Sequence, residues 1–378
     1  MSTSQPVIPV QSAQQAALST PHAHVTALSD EEIRERTLEA KRMLGTELII
    51  LGHHYQRDPI ITFADKTGDS YGLSVHAAAA KETRFVVFCG VHFMAETANI
   101  LTPDQVTVLL PDRKAGCSMA DMADIDQVET CWEEFTSVCD ETLVPITYMN
   151  STAAIKAFTG TNGGAICTSS NALGILKWAF QQGQKVLFLP DQHLGRNTAH
   201  FQLGIPLDEM VLWDPSKEMG GNTAEALRKA RMILWKGHCS VHLNFTAAHV
   251  DLARQRNPQV NVIVHPECDI SVVEKADHVG STDFIIKTIG AAAAGSSWVV
   301  GTEQHLVSRL AATFPDKSIT TVSPFACQCA TMYRIDPVDL MHTLEGIPRG
   351  DLRFPVRVSP DIASKAQMAL DRMLAIPR

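Results

Sequence analysis

The sequence predicts an α/β protein of three similar three-layer αβα domains, each with a short parallel sheet, arranged with pseudo-threefold symmetry. Three observations lead there. Short runs rich in Val, Ile, Leu and Phe alternate with Ala-rich stretches of helical period, the pattern of parallel strands joined by crossover helices. These units recur in three copies in one order, and the fourth strand of each copy is followed by a cysteine. A chain of 378 residues, 45% hydrophobic and 19% charged, has the composition of an ordinary globular protein with room for several domains.

Residues 1–28, rich in Gln, Ser, Ala and Thr and without a sustained period, predict a disordered extension. The first helix starts at Ser29. Its stretch SDEEIRERTLEAKRML has a capping hydroxyl, acidic residues in the first turn, and apolar positions at Ile33, Leu38 and Leu44. Three domains follow, at 29–125, 126–245 and 246–340, and residues 341–378 form a C-terminal segment packing back on the core.

In each domain the first unit is a strand ending in a polar cluster: ELIILGHHY (47–55), LVPITYMNS (143–151) and VNVIVHPEC (260–268). The second opens a helix with small hydroxyl residues: TGDSYGLS (67–74), ICTSSNALGIL (166–176) and HVGSTDFII (278–286). The third is again strand and turn, in RFVVFCGVHFMAET, QKVLFLPDQHLGRN and SWVVGTEQHLVSRL. The fourth strands lie in QVTVLLPDRKAGCSMAD, in EMVLWDPSKEMG running on to KGHCSVH, and in SITTVSPFACQCATM.

The net charge of −9 argues against nucleic-acid or anionic-membrane partners and leaves small molecules. No apolar run approaches the roughly 20 residues of a membrane helix. The first basic residue is Arg34, so the start of the chain has neither the charged region of a secretory signal nor the arginines of a transit peptide, and a cytoplasmic location is expected. Nine cysteines in such a compartment do not predict a disulfide framework, and most are expected to be small buried hydrophobes.

Parallel α/β units bind ligands at the carboxyl ends of their strands. The fourth-strand loops then bring together Cys117, Cys239 and one of Cys327 or Cys329. Three converging thiolates suit a soft metal: a structural zinc site wants four ligands, whereas a cubane iron-sulfur cluster held by three keeps one iron open to a substrate oxygen. The intervals, 239 − 117 = 122 and 329 − 239 = 90 residues, argue against a local zinc ribbon or compact ferredoxin motif and require the fold to assemble the site.

The polar strand ends supply His53, His265 and Glu267 for proton transfer, Tyr55 and Tyr148 as hydrogen-bond donors or acids, and Asn150 for an amide or carboxylate. Ser70, Ser169, Ser281 and Thr282 stand where helices begin, where hydroxyls and backbone N–H groups can hold an anion. Plain helix capping accounts for those hydroxyls equally well, and a capped turn competes for His53 and for His265 to Glu267. Arg196 of PDQHLGR either positions a phosphate or closes a turn.

Taken together and in order, GHHYQ, TGDS, CGVHFMAET, AGCSMAD, YMNST, CTSSNA, PDQHLGR, GHCSVH, HPEC, VGST and CATM resemble the quinolinate synthase family, the A protein of the bacterial NAD pathway, over about residues 35–345. The resemblance implies that the three domains surround a central [4Fe-4S] cluster, one per chain, held by Cys117, Cys239 and Cys329, with Cys268 and Cys327 outside the ligand set. It implies an enzyme of de novo NAD biosynthesis that condenses iminoaspartate with dihydroxyacetone phosphate to quinolinate, phosphate and water. The open iron would act as Lewis acid, and a functional link to L-aspartate oxidase is implied too. Substrate contacts carry over to His53, Ser70, Tyr148, Asn150, Ser169, His265, Glu267 and Thr282, and Tyr55 takes the catalytic tyrosine's position beside the catalytic His53, Glu267 and His265. The chain departs from some relatives in having C-x-C in place of C-x-x-C-x-x-C at the last cysteine. Two other classes compete: another iron-sulfur hydro-lyase, and a non-catalytic iron-sulfur sensor with a closed cluster.

Overall fold

The computed structural model describes residues 28–325 and 327–376, so the extension expected over 1–28 lies, Leu28 apart, outside the described residues. The first sheet contains β1 (Leu48–His53), β2 (Lys66–Gly68), β3 (Phe85–Cys89) and β4 (Thr107–Leu109). The second contains β5 (Leu143–Tyr148), β6 (Ala165–Cys167), β7 (Lys185–Leu189), β8 (Met210–Trp213) and β9 (Met232–Trp235). The third contains β10 (Asn261–Val264), β11 (His278–Val279), β12 (Ser297–Gly301) and β13 (Ser318–Thr321), and β14 (Pro355–Val356) pairs antiparallel with β4.

One strand order recurs in the parallel part of each sheet: β2-β1-β3-β4, β6-β5-β7-β9 and β11-β10-β12-β13. The first strand of each sheet thus lies between the second and third, and the chain reverses direction across the sheet there. In open parallel sheets that reversal opens a crevice at the carboxyl ends of the strands. The central strands read as continuous apolar runs because helices cover both faces: all six residues of β5 and all five of β7 are buried. Lys185 of β7 is accommodated by donating Nζ–H to the carbonyls of Arg228 and Ala230, both at 2.6 Å, and by the Glu141 carboxylate at 2.9 Å.

Two features differ from the sequence reading. The stretches read as helix openings each begin with an edge strand, β2, β6 or β11, of three, three and two residues, too short for a strand period to register. In the second sheet MVLW of EMVLW forms β8 at the edge, and the helix Ala224–Lys229 returns the chain to β9. It is β9, MILW, that takes the fourth-strand place and leads to Cys239.

The first helix runs Asp30–Leu44 with a full capping box: Glu32 N–H donates to Ser29 Oγ at 3.3 Å, and Ser29 N–H donates to Glu32 Oε2 at 2.8 Å. It buries Ile33, Thr37, Ala40 and Leu44 and packs on the helix Pro337–Gly346, while Leu38 is half-buried. At the C-terminus the helix Pro360–Ala375 packs on the helix Ala153–Thr161. Gly160 allows this close approach, since a Cβ there would sit 2.0 Å from Lys365 O. Gly160→Ala is expected to force the two helices apart, costing about 1–3 kcal/mol as overpacking does. A lower denaturant midpoint checks this, and an unchanged midpoint would mean that the contact relaxes freely. Among the described residues no helix is long and apolar enough to cross a membrane.

Candidate active site and metal centre

One cavity at the carboxyl ends of the strands is lined by every residue that the family resemblance selects as catalytic, substrate-binding or cluster-ligating: His53, Tyr55, Ser70, Tyr148, Asn150, Ser169, His265, Glu267, Thr282, Cys117, Cys239 and Cys329. Arg196 does not line it; its Nη2–H donates to Gln192 Oε1 at 3.1 Å.

The three cysteine loops are built alike. The first residue of the helix after each third strand donates its N–H to the carbonyl two positions before the cysteine: His92 to Ala115 at 2.8 Å, Gln192 to Gly237 at 3.0 Å, and Gln304 to Cys327 at 3.0 Å. Each cysteine carbonyl accepts from the N–H four residues on: Cys117 from Asp121 at 3.2 Å, Cys239 from Leu243 at 3.0 Å, and Cys329 from Tyr333 at 3.0 Å. A 3-10 turn follows each time, at Ala120–Met122, His242–Asn244 and Met332–Arg334. Cys329 therefore stands where Cys117 and Cys239 stand, and Cys327 takes the place of Ala115 and Gly237. Glu303, fully buried, caps the helix Gln304–Thr313 and accepts the Cys329 N–H at 3.3 Å. Cys327 and Cys268 are buried away from the cavity, their Sγ atoms each 3.6 Å from a carbonyl, those of Phe325 and Gly301.

At the strand ends one device appears twice. Tyr55 N–H donates to His53 Nδ1 at 3.1 Å, and Glu267 N–H donates to His265 Nδ1 at 3.3 Å. Each ring closes its own turn through Nδ1, so in the neutral ring the proton sits on Nε2. The capped-turn reading and the functional one thus apply to different nitrogens of the same side chain. Burial would raise the Glu267 carboxyl, but His265 and His242 hold it below the ordinary carboxylate range. Burial and then the nearby Glu267 carboxylate push the Tyr148 phenol well above its usual value.

Capping falls to other residues than the hydroxyls proposed for substrate. Asp69 Oδ1 accepts Gly72 N–H at 2.8 Å and Ser281 Oγ accepts Phe284 N–H at 3.3 Å, so Ser70 and Thr282 are the first helical residues and not caps. For Ser281 the capping reading holds. The hydroxyls of Ser70, Ser169 and Thr282 have no protein partner among the described residues, and Asn150 Oδ1 is buried without one.

Four further residues shape the site. His242 Nδ1 lies 2.5 Å from Glu267 Oε2, off the line of an ideal N–H bond, and its ring stacks on His265 with centroids 4.4 Å apart. Thr302 Oγ1 lies 2.7 Å from the Tyr55 hydroxyl and 3.1 Å from His242 Nε2. Lys156, fully buried, donates Nζ–H to Ser151 O at 2.5 Å and so holds the turn presenting Tyr148 and Asn150. Asn197 Nδ2 donates to the carbonyls of Pro266 and Cys268, both at 2.8 Å, and fixes the loop that carries Glu267.

Residues 35–375 match the family model described as Quinolinate synthetase A protein. The chain belongs to the quinolinate synthetase A family. It is 55% identical over 352 residues to a quinolinate synthase of Herpetosiphon aurantiacus, covering 92% of this chain and 94% of that one. Against the quinolinate synthases of Corynebacterium glutamicum and Anoxybacillus flavithermus the identities are 53% and 52%, each covering 92% of this chain and 88% and 94% of the relatives.

The donor set of this family member fits a metal cluster. Of nine free cysteines the three that line the cavity are half-buried and the other six are buried. Burial, and the neighbouring Cys329, push the Cys117 thiol up to about 12; burial and then Glu267 also raise the Cys239 thiol well above its usual value. Such thiols stay protonated until a cation replaces their protons, which is how a metal is taken up. Among the described residues Cys239, His242 and Glu267 also place one ligand atom each within 4.8 Å of one another.

The buried histidines make stability depend on pH. Burial pulls His53 and His265 down to about 3, against the Glu267 charge that favours their protonation. The unfolded chain takes up these protons near pH 6.5, roughly the free imidazole value. Between those values the unfolded state binds more protons, so stability present above about pH 6.5 is lost as the pH falls toward 3. The loss approaches about 1.4 kcal/mol per pH unit for each ring. Denaturant midpoints at pH 7 and pH 5 are expected to differ accordingly; equal midpoints would mean that the rings are not held neutral.

Proposed function

We propose that the chain is a quinolinate synthase of de novo NAD biosynthesis, a transferase acting in the cytoplasm on iminoaspartate and dihydroxyacetone phosphate. The formulae balance with loss of one phosphate and two waters per quinolinate. The reading is carried by one observation: the cysteine, histidine, carboxylate, tyrosine and hydroxyl positions that the family resemblance selects all line a single cavity.

Cys117, Cys239 and Cys329 hold a [4Fe-4S] cluster, one per chain. When bound, a cluster with three protein ligands offers its fourth iron as a Lewis acid to a substrate oxygen. The chain's own groups do the rest. Ser70, Ser169 and Thr282, with hydroxyls free of protein partners and backbone N–H groups at helix starts, bind the carboxylates of iminoaspartate. Asn150 Oδ1, buried and unpaired, accepts from a substrate N–H or O–H. His53 and His265 present Nε2–H as neutral donors, because Nδ1 is occupied by the backbone. Tyr55 with His53 handles the triose proton transfers, and Glu267 with His265 assists imine formation and dehydration. Close supply of iminoaspartate by L-aspartate oxidase belongs to the same reading, since the imine hydrolyses in water.

The experiment is an anaerobic assay for quinolinate with both substrates and fully loaded cluster. Absence of product sinks the reading. Added quinolinate is also expected to perturb the cluster spectrum; an unperturbed spectrum favours a closed-cluster sensor.

A further inference from the structure

The third cysteine loop differs from the other two in carrying a second thiol, Cys327, at the place that Ala115 and Gly237 fill in the first and second loops. Two thiols of the same chemistry on one short loop pose a choice of ligand. The residue that makes it stands at the start of the neighbouring helix.

The helices that face the three cysteine loops are capped by Val91, Asp191 and Glu303. Val91 makes no side-chain cap bond. Asp191 accepts Leu194 N–H on Oδ1 at 2.7 Å, and its other oxygen is buried without a hydrogen-bond partner among the described residues. Glu303, fully buried and one methylene longer, uses both oxygens. Its Oε2 accepts the helix N–H groups of His305 at 2.7 Å and Leu306 at 3.4 Å, and its Oε1 accepts Cys329 N–H at 3.3 Å. Aspartate is among the preferred helix caps and glutamate is not, so capping alone would be served by the shorter residue. The extra length is what reaches the cysteine. His305 fastens the same carboxylate, with Nδ1 2.8 Å from Oε1. Its ring lies 5.5 Å from that of Tyr333, centroid to centroid, and Tyr333 N–H closes the Cys329 turn.

Consecutive residues thus hold both cysteines of the C-x-C. Gln304 N–H donates to the Cys327 carbonyl at 3.0 Å and Glu303 accepts Cys329 N–H, so the loop cannot slide by two positions without breaking both bonds. We propose that Glu303 sets the register of this loop, a positioning residue that makes Cys329 and not Cys327 the third ligand of the cluster. This rests on the reading of Cys117, Cys239 and Cys329 as the ligand set. In that register Cys327 Sγ stays 3.6 Å from Phe325 O, buried away from the cavity. The other two loops agree with the assignment: neither has a rival thiol two residues before its cysteine, and neither cap hydrogen-bonds a cysteine N–H among the described residues.

The test separates reach from capping. Glu303→Asp keeps a preferred cap and a carboxylate but withdraws the oxygen from Cys329 N–H. After anaerobic loading, this variant is expected to lose iron to a chelator about 10-fold faster than wild type, the low end for a residue that supports a metal ligand. Adding Cys327→Ser removes the rival and is expected to recover most of that loss. Serine at this position restores neither the cap nor the Cys329 contact, so the recovery cannot come from a mended fold. A Glu303→Asp chain that holds iron as wild type does overturns the proposal, and so does a double variant as labile as the single one. If the variants do not fold, the wild-type chain decides. In the cluster-free, 15N-labelled full chain the Cys329 amide is expected to exchange with D2O at least about 10-fold more slowly than that of its exposed neighbour Gln328, as a hydrogen-bonded amide does; equal rates overturn the proposal. None of these readouts needs turnover. The expected iron losses with no quinolinate formed sink the functional reading alone, and a Glu303→Asp chain indistinguishable from wild type leaves that reading standing.

Discussion

Tyr55→Phe is expected to lower quinolinate formation by at least about 10²-fold, as loss of a general acid–base group does, while leaving iron content and the visible spectrum of the cluster as in wild type. The substitution removes one oxygen and keeps the ring, whose edge-to-face packing on His53, with centroids 4.8 Å apart at 75°, is unchanged in kind. Thr302 keeps its partner at His242 Nε2, so no buried donor is orphaned, and the stability cost is that of one neutral hydrogen bond, about 1 kcal/mol. Burial and then Glu267 hold the Tyr55 phenol well above its usual value, so the group is protonated at neutral pH and its proton is available for the reaction. Cluster loss in Tyr55→Phe would make the residue structural and remove it from the catalytic set; full activity would do the same.

The parts of this arrangement legible in the sequence are those that one residue and its neighbours decide. Strand ends such as GHHY and HPE announce themselves because polar groups directly follow buried apolar runs, and Ser29 with Glu32 writes a helix start in four residues. The edge strands β2, β6 and β11 were not legible, since pairing with a neighbour over two or three positions leaves no period. The same holds for EMVLW against MILW. Both are apolar strands, and only their neighbours in the sheet decide that β9 leads to the cysteine.

Within the site, the missed residues act through partners distant in sequence. His242 sits three positions after Cys239 in GHCSVH, so its closeness in sequence to a cysteine was visible but its partner Glu267 was not. Thr302 directly follows β12 and meets Tyr55 across 302 − 55 = 247 residues, a contact that exists only once two sheets face each other. Lys156 reads as an ordinary helical lysine, yet it is fully buried with Nζ 5.2 Å from the Phe93 ring centroid. The distinction between capping and free hydroxyls also needed the fold, because Asp69 and Ser70, or Ser281 and Thr282, are adjacent in sequence and either could have been the cap.

The C-x-C pair gives the second large effect. Cys329→Ser is expected to abolish cluster incorporation, read as loss of iron, of sulfide and of brown absorption after anaerobic reconstitution, whereas Cys327→Ser is expected to load as wild type. A serine oxygen is a harder, less readily ionised ligand than a thiolate, and iron-sulfur clusters are held by thiolates. The two cysteines are two residues apart and differ little in sequence, but their backbones do different work. The Cys327 carbonyl takes the helix N–H of Gln304, the role that Ala115 and Gly237 fill without any sulfur, so no thiol is required at that position. Cys329 opens the turn closed by Tyr333 N–H and lines the cavity with Cys117 and Cys239. In Cys327→Ser a hydroxyl replaces a buried thiol beside Phe325 O and can donate to it, which limits the cost to about 1 kcal/mol. Should Cys327→Ser lose the cluster while Cys329→Ser keeps it, backbone equivalence would not identify the ligand, and the loop would have to reverse its two cysteines when the cluster enters.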